Sequence, residues 1–145
     1  MEVINNSIIT LDTNCFIYYF EDSEKYAPKL ELVFNKLQEG FIQGNMSILS
    51  LLEILVKPKK ENNIFLENRY KVILNNFPHL KIVDLSFSIA DIAARLRAAY
   101  NLKTSDAIVF ATSIYTNSKY LITNDGHFKN IGERENISII LLDEL

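Results

Sequence analysis

Five short apolar runs punctuate the chain: IITL, NMSIL, LKIVDL, KYLIT and ISIILL. Between most of them, apolar residues recur at helical rather than strand spacing. Leu30, Val33, Phe34 and Leu37 repeat at i, i+3, i+4 and i+7, with Pro28 suited to a first turn and Gly40 placed as a C-terminal cap. Leu66, Tyr70, Ile73 and Leu74 share a second such face. Ile89, Ile92, Ala93, Leu96 and Tyr100 share a third, in a helix starting near Ser86. Further helices are expected through Phe16, Ile17 and Phe20, in LLEILV, and in LKTSDAIVFATS. Short apolar strands alternating with helices are satisfied by a central parallel sheet covered on both faces, so the expected fold is three-layer α/β/α. A chain of 145 residues without repeats or low-complexity tracts is expected to form a single domain over 1–145.

The charge balance excludes some functions and leaves others open. Net charge is −3, so no global basic field advertises nucleic acid. Residues 1–56 carry 3 lysines and no arginine against 8 acidic residues, whereas the remainder is mildly basic. One cysteine, Cys15, allows no intrachain disulfide and suits a reducing compartment; it reads as a small buried hydrophobe. The stretch MEVINN lacks the basic and apolar regions of a signal peptide, and SILSLLEILV is interrupted by Glu53 and too short to span a bilayer. A cytoplasmic protein without a membrane partner is expected.

Four acids are placed by the element order on one edge. The carboxyl ends of parallel strands share an edge, where ligands bind. Asp12 closes the first strand and Asp125 follows the fourth. Glu53 lies in the first turns of the helix after the second strand. Asp106 opens a helix joined to KYLIT through a short connection near Asn117 and Ser118, so that helix runs antiparallel to the strand and its N-terminus faces the same edge. Each acid also has a structural reading: Asp12 as a helix cap, Ser50 and Glu53 as a capping box, Asp106 as a complement to the helix dipole, and Asp125 before Gly126 as turn chemistry. Convergence is what those readings leave unexplained. Two carboxylates ~4 Å apart at an effective dielectric near 20 repel by about 4 kcal/mol. A cation or protons must offset this. All-oxygen donors fit Mg2+ or Mn2+, and such an ion polarises phosphodiesters, so the residues point to metal-assisted phosphodiester hydrolysis.

The segments IITLDTNCFIYYFE, SLLEILVKP, LKTSDAIVFATSI and YLITNDGHFKNI, in this order, resemble the four motif regions of the PIN-domain family. The resemblance extends over nearly the whole chain, including ISIILLDEL, and is greatest to the small toxin ribonucleases of type II toxin–antitoxin pairs, the VapC type. It implies a PIN-like parallel sheet flanked by helices and a Mg2+- or Mn2+-dependent endoribonuclease. It carries the catalytic and metal-binding roles onto Asp12, Glu53, Asp106 and Asp125, with Asn14 and Thr123 supporting those carboxylates by hydrogen bonds. Asp12 and Asp106 are the expected firmest ligands, with Glu53 and Asp125 acting through water or as base. Some relatives carry a further acid near the last motif, where this chain has Asn124 and His127. An RNA substrate, a protein antitoxin and a homodimer are implied as partners.

Substrate contacts are less legible. Lys57, Lys59 and Lys60, beside Asn62 and Asn63, are candidates for gripping phosphates, although a solvated loop and helix start accounts for them more simply. Arg95, Arg97 and Lys103 are equally ambiguous. Tyr18, Tyr19 and Phe20 suit a core or a dimer surface better than base stacking. Two alternatives compete. A phosphotransfer domain with Asp12 as nucleophile wants a second acid two residues on, where Asn14 stands. A catalytically silent PIN domain that binds RNA or protein retains the fold without the chemistry.

Overall fold

The computed structural model describes residues 2–145. Strands β1 (Ile8–Leu11), β2 (Gln43–Ser47), β3 (Leu80–Val83), β4 (Tyr120–Thr123) and β5 (Ser138–Leu141) form one sheet in the order β3-β2-β1-β4-β5. Every pairing is parallel; Thr10 lies opposite Asn45 on one side and Leu121 on the other. The helices are α1 (Thr13–Phe20), α2 (Ala27–Glu39), α3 (Ile48–Lys60), α4 (Ile64–Asn76), α5 (Phe87–Tyr100), α6 (Thr104–Tyr115) and α7 (Phe128–Glu135). The expected parallel α/β architecture is therefore present.

Strand periodicity divides the core in two. Ile9, Leu11, Met46, Tyr120 and Ile122 pack with α1, α2, Ile54 of α3 and Leu74 of α4. Leu121, Val83 and Ile139 pack in a second cluster with α5, α6 and α7, around Phe110 and Phe128, whose rings meet edge-on with centroids 5.5 Å apart. Successive side chains of a strand point to opposite faces, so both faces must be apolar. Tyr18, Tyr19 and Phe20 are half-buried at the end of α1, where Tyr19 stacks on Phe34 and Phe20 on Tyr70.

Local chemistry sets the element ends. Gly40 closes α2 at φ +84°, a conformation that favours glycine. Elsewhere asparagine does the same work: Asn101 and Asn136 cap α5 and α7 at φ +55° and +63°, and Asn117 takes φ +56° in the short α6–β4 connection. Ser86 accepts from the Ile89 amide at 3.2 Å and starts α5.

The structure departs from the sequence expectations in four places. The second strand ends at Ser47, and Ile48 and Leu49 already belong to α3. Ser47, not Ser50, is the N-cap of α3, accepting from the Leu49 amide at 3.1 Å; Ser50 and Glu53 thus form no capping box. Helix α3 continues through Pro58 to Lys60, so the KPKK segment is its last turns rather than a loop. Finally, α7 occupies FKNIGERE, where sequence periodicity gave no helix. Its apolar contribution is confined to Phe128 and Ile131, and Gly132 weakens the pattern. The glycine is there for proximity: a Cβ at Gly132 would stand 2.5 Å from the Ile137 carbonyl oxygen and 2.6 Å from Ile139 Cγ1.

Candidate active site

Asp12 directly follows β1, and its amide still donates to the Ile122 carbonyl at 3.0 Å, extending the pairing with β4. Its carboxylate is buried and held at both oxygens. Oδ1 accepts from the Thr13 amide at 2.7 Å, which makes Asp12 the N-cap of α1, and Oδ2 accepts from Thr123 Oγ1 at 2.7 Å. Burial pushes the Asp12 carboxyl up from 3.8 to about 6, against the two hydrogen bonds, and repulsion from Asp106 and Glu53 adds to the rise. A buried acid with this history is short of positive charge.

The other three acids come from separate elements. Asp106 sits in the first turn of α6, half-buried, and is raised by burial and by Asp125, with Lys103 opposing; Glu53 adds to the rise and His127 opposes it. Glu53 lies in the second turn of α3, where its Oε1 accepts from Thr13 Oγ1 at 2.8 Å. Asp125 follows β4; its amide donates to Thr123 Oγ1 at 3.1 Å and its Oδ1 accepts from the His127 amide at 2.9 Å. His127 Nδ1 lies 3.0 Å from the same oxygen, on a side chain that is otherwise exposed.

Two hydroxyl residues therefore join the acids in pairs. Thr123 touches Asp12 and Asp125. Thr13 touches Asp12 through its amide and Glu53 through its hydroxyl, which also lies 2.9 Å from the buried Ser50 Oγ. Thr13 and Ser50 have no motif signal in the sequence; Ser50 was masked by its resemblance to a cap. Asn14 Oδ1 instead receives the Cys15 thiol at 3.7 Å, and that thiol is buried, with its pKa pushed well up by burial. Among the described residues no three Asp, Glu, His or Cys side chains stand close enough to cage an ion unaided. Asp106 and Asp125 line one cleft and Glu53 another, with Asp12 buried; a hard cation such as Mg2+ keeps several waters and does not need a closed cage. The all-oxygen donor set and the charge shortage at Asp12 both fit such an ion.

The candidate phosphate-binding lysines lie apart. Lys57 pairs with Glu21 at 3.0 Å and Lys59 with Glu67 at 2.6 Å, at the far end of α3, and Lys60 is in the same turn. Arg95 makes a two-pronged pair with Glu135 at 2.8 and 3.1 Å, and Arg97 Nε donates to the Leu102 carbonyl at 2.9 Å.

A parallel sheet in this order, with acids gathered beyond its carboxyl edge, defines a class of α/β proteins, and sequence comparison makes it specific. The PIN domain family matches residues 9–134, and the chain belongs to that family. Among solved structures it is similar to a toxin–antitoxin complex from Klebsiella pneumoniae, with 25% identity, a TM-score of 0.70, and 94% of this chain and 99% of that chain covered. It also shares its fold with VapBC2 from Rickettsia felis bound to a promoter DNA fragment (21% identity, TM-score 0.69, 92% and 98% covered). A third likeness in fold is FitAcB from Neisseria gonorrhoeae (18% identity, TM-score 0.70, 94% and 99% covered). No curated protein matches the chain.

Proposed function

We propose that residues 1–145 act as a single PIN-like nuclease domain, a Mg2+- or Mn2+-dependent endoribonuclease that is the toxin of a type II toxin–antitoxin pair. The observation that carries this reading is the joining of acids from separate elements: buried Asp12 shares Thr13 with Glu53 and Thr123 with Asp125, and Asp106 adds to the repulsion that raises Asp12. Asp12 and Asp106 would hold the cation most directly, with Glu53 and Asp125 completing its surroundings. A bound divalent cation supplies charge neutralisation and Lewis-acid polarisation of the scissile phosphate. Thr123 and Thr13 orient the Asp12 carboxylate, and Thr13 also orients Glu53. Glu53, whose exposure supports contact with water, and Asp125 would act through water or as base.

The partners follow the same reading. Leu52 and Val56 of α3 and Ile64 and Phe65 of α4 are exposed large apolar residues, which supports burial against a protein antitoxin or a second copy. Among the described residues no helix is long and apolar enough to cross a membrane; a cytoplasmic location belongs to the toxin reading.

A silent, binding-only PIN domain is favoured by one observation, the lack of any three ligands gathered closely among the described residues. Incubating the protein with a mixed RNA pool separates the two. Fragments with Mn2+, none with EDTA and none from Asp12→Asn are expected; intact RNA under all conditions would establish the silent reading.

A further inference from the structure

The acidic centre opens on two clefts of opposite character. One, of about 420 Å3, lies between α1, α3 and α4 and is lined by Glu21, Glu53 and Glu61 among apolar residues such as Phe20 and Tyr70. Its cation, Lys57, is engaged by Glu21 at 3.0 Å. The other, of about 730 Å3, runs between the α5–α6 turn and α7; Lys103, Arg134 and Asn130 line it together with Asp106 and Asp125. Formal side-chain charge is −2 in the first, from three glutamates against Lys57, and zero in the second, so a polyanion is repelled by the first and admitted by the second, where its phosphates can meet Lys103 and Arg134.

One cation of the second cleft, Arg134, also rests on a ring that is itself held. Arg134 rests its guanidinium carbon 5.9 Å from the centre of the Tyr100 ring, which lines the same cleft. Tyr100 in turn donates its hydroxyl to Glu135 at 2.6 Å, and Glu135 is gripped by both guanidinium nitrogens of Arg95. A cation fixed before its ligand arrives loses less entropy on binding. Lys103 stands at the N-cap position of α6, three residues from Asp106.

We infer that the RNA strand leaves the acidic centre along the cleft between the α5–α6 turn and α7, with Lys103 and Arg134 each neutralising a backbone phosphate beside the scissile one. The inference rests on the nuclease reading for the identity of the strand. It puts Lys57 and Lys59, whose charges are engaged by Glu21 and Glu67, off the track of the substrate.

Fluorescein-labelled decauridine, titrated by anisotropy at several salt concentrations with Ca2+ in place of the active ion, tests the assignment. The Lys103→Gln/Arg134→Gln protein should bind about tenfold or more weakly, with the slope of log affinity against log salt flattened by about 1.4, the share of two phosphates on a single strand. Arg134→Gln alone, which leaves the surroundings of Asp106 intact, should flatten it by about 0.7. A Lys57→Gln/Lys59→Gln protein should match wild type. Unchanged binding in the first pair, equal losses in both pairs, no binding by wild type, or tighter capture of a glutamate-rich peptide than of RNA would each overturn the inference. Cleavage in Mn2+ is scored in parallel. Wild type that binds through Lys103 and Arg134 but does not cleave refutes the nuclease reading alone; cleavage insensitive to both residues refutes the cleft alone.

Discussion

Asp12 serves two ends that pull its charge in opposite directions. As the cap of α1 it favours ionisation, yet burial and its acidic neighbours favour the proton. Its folded value of about 6 lies above the ordinary 3.8, so its stabilising contribution is fully present below 3.8 and is lost as pH rises through about 6. That displacement corresponds to about 3 kcal/mol. Urea unfolding in EDTA should show metal-free wild type losing stability across this window relative to Asp12→Asn; parallel pH profiles would refute it. At Glu53, the Gln variant keeps a carbonyl oxygen for the Thr13 hydroxyl, so near-native stability is expected with RNA cleavage reduced about tenfold or more. Asp106→Ala separates dipole from chemistry. A helix-dipole role costs about 0.3–1 kcal/mol and spares activity; the metal reading expects equal or greater stability in EDTA and collapse of cleavage in Mn2+. The acids are readable one by one because each stands beside an apolar element. Of the hydroxyls around them, Thr123 is legible through the family resemblance, whereas Thr13 and its contact Ser50 are not, being 37 residues apart and without a motif of their own.

Among the elements, α7 shows where periodicity runs out. A helix of 8 residues has room for few apolar positions, and here they are Phe128 and Ile131. Its glycine looks like a breaker but answers to packing, because α7 must lie almost against the backbone entering β5. Gly132→Ala gains about 1 kcal/mol in helix propensity. It also drives a methyl into the Ile137 carbonyl, which belongs to the backbone and has little freedom to yield, and overpacking of this kind costs about 1–3 kcal/mol. Net destabilisation is expected in urea unfolding, and a stabilised variant would show that the contact relaxes freely. By contrast, α2 and α5 were legible throughout: apolar residues at helical spacing, and Gly40 or Ser86 at an end. Helix α3 was half legible, because Pro58 argues for a break while the helix continues to Lys60 with the proline buried.

On the scale of the whole molecule, alternation of apolar runs and helical segments was enough to anticipate a parallel sheet, because such strands need crossovers and both faces covered. The strand order was not anticipated; it depends on which helices pack on which face. On the proposed metal reading, cation binding would link this architecture to stability, since an ion bound only by the folded state raises its stability with concentration. Mn2+ should raise the thermal midpoint of wild type at pH 8 and much less at pH 5, where Asp12 holds its proton and competes with the ion. Asp106→Asn should lose most of the shift while keeping the fold. An equal Mn2+ shift in wild type and variant, followed by differential scanning fluorimetry, would remove Asp106 from the ligand set.

The central position of β1 has a consequence in time. The first strand of the sheet in chain order is flanked by β2 and β4, and the Thr123 hydroxyl that steadies Asp12 comes 111 residues later. A nascent chain that has reached Tyr115 already contains Asp12, Glu53 and Asp106, yet one side of β1 is still unpaired and Asp125 has not been made. Until β4 has been made, Asp12 lacks its Thr123 partner, so the four acids can come together only after the fourth strand.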